Sequence, residues 1–256
     1  MAPRTIQSIE RAAAILRLLS GRTHRLGVVD LAGELGLPKG TVHGLLRTLQ
    51  HVGFVEQDEE SGKYQLGAAL LHMGSSYLDG NELRTRALNW ADSLAARANE
   101  SVRIGTLHEG QALVVHHVFR PDNSRQALEV GALLPAHATA LGKVLLAHNP
   151  YATEAVIDAG LSSFTPATVV DADALRDELN EVRVRGWAAD VEELVEGEVS
   201  VAAPIQDRRG VTVGAIGISG PIERLADDGD GPRSDLISYV RESARAVSRD
   251  LGAIPW

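Results

Sequence analysis

The 256-residue chain contains no cysteine. That absence excludes disulfides, thiolate-ligated zinc and cysteine nucleophiles together. Aromatic residues make up only 4% of the chain, and no run approaches the ~18 consecutive apolar residues that a membrane-spanning helix needs. The N-terminus carries no apolar signal core either, so a cytoplasmic location without membrane partners is expected. Lysine is nearly missing: of 25 basic residues only Lys39, Lys63 and Lys143 are lysine. No Gly-x-Ser-x-Gly, Walker loop or zinc-type His pair occurs. What the chain does have is 44% hydrophobic content, ample for the buried cores of two domains.

Residues 27–67 read as a complete winged helix-turn-helix. Apolar residues fall at Leu31, Leu35, Leu37, Val42, Leu45, Leu46 and Leu49, with Ala32 and Gly36 at the two tight places. A short turn between crossing helices needs a residue tolerant of φ > 0, which suits Gly36. Pro38 fits the opening of a second helix that runs to about Val52 and stops at Gly53. That helix buries Val42, Leu45, Leu46, Leu49 and Val52 by its period. Its other face carries Gly40, Thr41, His43, Gly44, Arg47 and Gln50, a small and donor-rich surface suited to base edges. A hairpin follows, with strands at 54–57 and 63–66 and a turn over Asp58–Gly62. Upstream, Ser8 is expected to cap a helix with Ile9, Ala12, Ala13, Leu16 and Leu19 on one side.

Charge is divided in the same way. Residues 1–54 carry seven Arg and Lys against three acids, a net of +4, while the whole chain is −9. A basic head on an acidic body can lie against phosphates while the body stays off the duplex. Double-stranded operator DNA is therefore the expected partner. Gly40, Thr41, His43, Gly44 and Arg47 face the bases, Lys39 joins them as a DNA-binding residue, and Arg22, Arg25 and Lys63 serve phosphates. Asp58, Glu59 and Glu60 at the wing tip argue for a weak wing contribution.

Beyond the wing the periodicity describes an α+β body. Residues 68–78 are helical and serve as a connector, and 83–98 resume helically after Gly80 and Asn81. From Ser101 the period changes to two, with a hairpin over 101–118. Helices are expected at 139–147, 151–159, 172–185 and 235–251, the third capped by Asp171 or Asp173. Strands are expected at 187–190, 199–205 and 211–219, giving a central antiparallel sheet. His116 and His117 are adjacent on a strand and so point to opposite faces, which prevents both from gripping one ion. Gly214, Gly217 and Gly220 are spaced loosely like a nucleotide fingerprint but lie inside a strand pattern, so that reading fails its context. No metal and no cofactor are expected.

These residues resemble the IclR family of bacterial transcription regulators. The most characteristic stretch is Leu134-Pro135-Ala136-His137-Ala138-Thr139-Ala140-Leu141-Gly142-Lys143. Gly186-Trp187-Ala188-Ala189-Asp190, then Glu192-Glu193 and Val201-Ala202-Ala203-Pro204-Ile205, follow in family order and spacing. Within the family, residues 43–49 and 115–122 most resemble regulators of actinobacterial glycerol operons. The resemblance implies a winged helix-turn-helix DNA-binding domain at 1–67, a connecting helix at 68–82 and a GAF-like α/β effector-binding and oligomerisation domain at 83–256. It also implies a homodimer built through the heads, often paired into a tetramer through the bodies.

By position, the resemblance places Ala140, Leu141 and Gly142 on one wall of an effector pocket and Asp190, Ser200, Gly217 and Ser219 on the other. Backbone N–H groups at 139–142 open a helix, a natural place for a phosphate or carboxylate. Asp190, acceptor-only when ionised, suits ligand hydroxyls. Its alternative reading is a cap on the 191–198 loop, and Ser200 and Ser219 are equally readable as satisfied core hydroxyls. Gly217 stands where other members carry a hydroxyl, leaving more room. His137 is expected to hydrogen-bond locally. The expectation is a ligand-responsive, non-enzymatic repressor of a small-molecule catabolic operon, with glycerol utilisation favoured and glycerol or glycerol 3-phosphate as effector. The alternatives are an activator or global regulator with a small carboxylate or aromatic effector, an enzyme domain tethered to DNA, and an architectural DNA binder.

Overall fold

The computed structural model describes residues 5–21, 25–122, 124–227 and 231–253, and the chain divides into two compact units, 1–80 and 81–256. The first unit contains α1 (Gln7–Leu19), α2 (Val28–Leu35), α3 (Lys39–His51), the ribbon β1 (Val55–Gln57) and β2 (Tyr64–Leu66), and α4 (Ala68–Asp79). The helix expected as a connector thus groups with the head.

Local chemistry explains each boundary of the helix pair. The Asp30 carboxylate accepts from Gly27 N at 2.9 Å and holds the start of α2. Gly36 at φ +61° ends it and lets Leu37 N reach Ala32 O at 3.0 Å. Ile15, Leu19, Leu31, Val42, Leu46, Leu49, Val55 and Tyr64 close one core. Leu26 pairs with Tyr64, tying the segment before α2 to the wing.

Three head expectations are corrected. Ser8 does not cap α1; the helix opens after Ile6 with no side-chain cap, so Ser8 lies within its first turn. Ile9 is 64% exposed, and the stripe runs instead through Ile15 and Leu19, because only the second half of α1 reaches the core. Val52 likewise lies outside the core, 48% exposed at the end of α3.

In the second unit Asn81 does not merely interrupt a helix. Its side chain accepts from Arg84 N and caps α5 (Glu82–Ala98). Then come β3 (Ser101–His108), β4 (Gln111–Val118), β5 (Leu133–Pro135), a 3-10 turn at Ala136–Ala138, α6 (Ala140–Ala147), α7 (Pro150–Ala159) and α8 (Ala172–Arg185). The chain continues through β6 (Ala188–Val191), β7 (Glu198–Gln206), β8 (Thr212–Pro221), the short α9 (Ile222–Leu225), the small strands β9 (Ala226–Asp227) and β10 (Gly231–Pro232), and α10 (Ser234–Asp250). Six strands form one antiparallel sheet in the order β5-β4-β3-β8-β7-β6. Gly214, Gly217 and Gly220 all lie within β8.

The sheet is built so that α6 can lie close upon it. Ala112, Ala188, Ala202 and Ala215 share a core with Val144, Leu145 and Leu146 of α6 and Leu175 and Leu179 of α8. Gly142 is required by the turn beneath: a Cβ there would stand 2.2 Å from the Ala136 Cα. Asp171 caps α8, accepting from Asp173 N and Ala174 N.

Candidate DNA interface and effector cavity

On α3 the side chains of Lys39, His43 and Arg47 are exposed together with Gly40 and Gly44, and Thr41 is half-buried. Gly40 and Gly44 have no positive φ, and a Cβ on either would meet nothing within 4 Å. Each costs roughly 1 kcal/mol of helix stability relative to alanine, so nothing inside the head calls for glycine there. At the wing the Arg25 guanidinium is already engaged, by Asp58 at 3.0 Å and Gln65 at 2.9 Å. Asp58 is less a solvated tip than a structural hub: it accepts from Ser61 N and Oγ, which holds its carboxyl below the usual range. Lys63 is exposed, and Arg22 lies outside the described residues.

In the body a cavity of about 230 Å³ opens between the start of α6, the strands β3, β8, β7 and β6, and the loop before β7. Cross-strand register sets its polar line. Asp190 pairs with Ser200, Ser200 with Ser219 and Ser219 with Ser101, so four adjacent strands present one row of oxygen-bearing side chains. Asp190 is buried. Its Oδ1 accepts from Glu193 N at 2.8 Å and its Oδ2 from Ser200 Oγ at 3.2 Å, and burial pushes its pKa upward. It therefore caps the loop and lines the cavity at once. Ala140, Leu141, Ser200, Gly217 and Ser219 line the same space.

Gly142 does not line the cavity; it faces Ala136, for the steric reason given above. The start of α6 is also not an open anion site. Thr139 Oγ1 accepts from Gly142 N at 3.3 Å, and Ser200 Oγ takes Ala140 N at 3.4 Å. At Gly217 there is no extra room either: a Cβ would lie 2.5 Å from Val201 O, so the neighbouring strand occupies that space. The His137 partner is not local. Nε2 meets Ser162 O at 2.9 Å, across the loop that follows α7.

Residues 75–249 match the bacterial transcriptional regulator IclR C-terminal domain, and residues 8–59 the IclR helix-turn-helix domain. The chain belongs to the IclR family. This IclR-family protein is 58% identical over 250 residues to a glycerol operon regulatory protein of Streptomyces coelicolor, a match covering 98% of each chain. It is 56% identical, with the same coverage, to a glycerol operon regulatory protein of Streptomyces griseus. Among solved structures, an IclR transcriptional regulator from Alicyclobacillus acidocaldarius superposes with a TM-score of 0.82 at 26% identity, over 97% of this chain and all of that one. The protein is a DNA-binding transcription regulator of a family whose members bind small-molecule effectors, and its relatives are regulators rather than enzymes.

Two site features of this IclR-family chain are not among the residues its sequence singles out. Arg103 of β3 lines the cavity and forks onto Glu129 and Ser219. Lys143 of α6 is fully buried, donating to Glu178 at 2.7 Å and to Glu193. Burial and the neighbouring carboxylates raise the Glu193 pKa to about 7 against the pull of Lys143. A lone lysine in a helix of apolar residues is the available signal for that network. The described residues include no group of three His, Asp or Glu arranged to hold a metal, and no helix long and apolar enough to cross a membrane.

Proposed function

We propose that this protein represses a glycerol-utilisation operon in the cytoplasm and is released from its operator by glycerol or glycerol 3-phosphate bound in the body cavity. The observation that carries this reading is full-length identity of 58% and 56% to two proteins named for the glycerol operon. The cavity chemistry agrees with it. Two serine hydroxyls in register and one carboxylate offer both donors and acceptors to a small polyol.

For the head, Arg47 reads a base edge, Lys39, Thr41 and His43 flank it, and Gly40 and Gly44 admit the groove. Lys63, Arg22 and Arg25 serve phosphates, Arg25 by exchanging Asp58 for the DNA backbone. A dimer formed through the head fits the exposed apolar side chains of that unit: Ile6 before α1, Ile9 on it, and Leu71, Met73 and Tyr77 on α4, which buries no residue. Pairing of dimers through the bodies completes a tetramer. In this division 1–67 bind DNA, 68–82 connect and 83–256 bind the effector.

Fluorescence anisotropy on a labelled glycerol-operon promoter fragment tests the reading. The protein should bind it with a steep salt dependence, and glycerol or glycerol 3-phosphate should weaken binding. Tightening by either ligand would overturn release from the operator by the effector. A response only to a small carboxylate or an aromatic acid would overturn the glycerol assignment.

A further inference from the structure

We propose that Arg103 is the anion anchor of the effector cavity, and that Glu129 is an internal carboxylate occupying it until an anionic group of the ligand takes its place. The proposal rests on the reading of this cavity as the effector site and adds the chemistry of the ligand's far end, a phosphomonoester or a carboxylate.

Arg103 is the one cation lining the cavity among the described residues, against Glu129, Asp190 and Glu198. It stands opposite Gly217 in the sheet, a residue with no side chain of its own. Its Nη2 donates to Glu129 Oε1 at 2.9 Å while Nε donates to the other carboxylate oxygen, and Nη1 reaches Ser219 Oγ. A planar fork gripping both oxygens of a carboxylate is how arginine binds carboxylate and phosphate ligands. Here the bound carboxylate belongs to the segment joining β4 to β5, not to the sheet.

The displaced side chain has a place to go. The Arg103–Glu129 pair also borders a second cavity, of about 260 Å³, lined by His117, Arg120 and Arg125. Arg120 is already held by Asp122 and Ser124 and stands 3.9 Å from Glu100, so Arg125 is the cation toward which Glu129 moves. His117 is buried and holds Glu129 N on its Nδ1 at 3.3 Å, while its Nε2 has no partner. The backbone of Glu129 is thus tethered by this long hydrogen bond and by the turn in which Ala132 N donates to Glu129 O at 2.8 Å.

Register gives the ligand's length. Ser219 and Asp190 lie two strands apart, roughly 10 Å between backbones at the usual sheet spacing. Arg103 reaches in over Ser219, and Asp190 reaches in to Ser200. The remaining span suits a three- or four-carbon chain with hydroxyls at Asp190 and the anion at Arg103. With Glu129 in place the lining has an excess of acid and repels anions. Anion binding and departure of Glu129 are therefore one event, whereas a neutral polyol leaves the pair closed.

Calorimetric titration of the full chain with glycerol, glycerol 3-phosphate and glycerate tests this, with melting of each variant to report its fold. Arg103→Gln should weaken both anions by roughly 10- to 100-fold, the range of a charge-assisted hydrogen bond, and glycerol much less. Glu129→Gln should act in the opposite direction, tightening the anions by removing their competitor, and its sign decides even where Arg103→Gln fails to fold. In hydrogen exchange, amides around 126–132 should lose protection with an anion and not with glycerol. Folded Arg103→Gln with unchanged anion affinity, or Glu129→Gln weakening the anions, overturns the proposal. Wild-type binding of glycerol and neither anion overturns it while leaving the cavity reading intact. Binding of none of the three overturns both.

Discussion

Replacing Gly44 by alanine should stabilise the head and damage DNA binding, two effects that rarely share a cause. Gly44 lies inside α3, has no positive φ and has nothing within 4 Å of where a Cβ would stand. Alanine there gains about 1 kcal/mol of helix propensity with no steric cost inside the head. For a domain the size of residues 1–80, that gain raises its melting point by roughly 4–8 °C. Against DNA the same methyl stands between the helix and the groove. Overpacking a close interface costs ~1–3 kcal/mol, or roughly 5- to 150-fold in dissociation constant. The two units can be followed separately in the intact chain. All three tryptophans (Trp90, Trp187 and Trp256) lie in the second unit, so tryptophan fluorescence reports the body alone. A circular-dichroism transition without a fluorescence counterpart then belongs to the head. Operator anisotropy supplies the other measurement. A stabilised variant with wild-type affinity would refute the placement of this face in the groove. A destabilised one would refute the claim that nothing inside the head requires glycine.

Other outcomes follow from the same geometry. Arg47→Ala should cost ~1–3 kcal/mol of operator binding and relax specificity at one base position if its guanidinium reads guanine, checked by anisotropy on single-base operator variants. Lys143→Met removes the cation between Glu178 and Glu193 and should cost the body ~3–5 kcal/mol, seen as a lower tryptophan-monitored melting point with the head transition in place. Glu193 is raised from 4.5 to about 7, so its protonated form is the one the fold favours. Its contribution is complete below the unfolded pKa and is lost as pH rises from about 4.5 through about 7. Glu193→Gln should therefore flatten the decline of the body's melting point across that window, and an unchanged slope would refute the assignment.

The parts of this molecule that can be read from its sequence are those in which chemistry and neighbour lie within a few residues. Gly36 at φ +61° and the apolar stripe of α3 announce themselves because a turn and a helix face are local objects. Ile9 and Val52 depart from the expected stripe for a related reason: periodicity shows which face of a helix is apolar, not how far along it the core extends. Resemblance locates the cavity, and Asp190 is readable as a loop cap because its backbone partner, Glu193, is three residues away. Arg103 is not readable. Its partners are Glu129 and Ser219, 26 and 116 residues distant; the pairing of β3 with β8 brings Ser219, and the pairing of β3 with β4 sets Arg103 opposite His117, which holds Glu129. Lys143 is hidden differently, since its helix is buried along its whole length and no exposed face marks where a charge should point. In the sequence both cations look like ordinary members of a strand and a family stretch. A cation taken out of water must find a carboxylate, so a lysine in an apolar segment is itself the sign of a long-range contact. By that logic Lys143 calls for acidic partners from other elements, and the fold supplies two, Glu178 of α8 and Glu193 after β6.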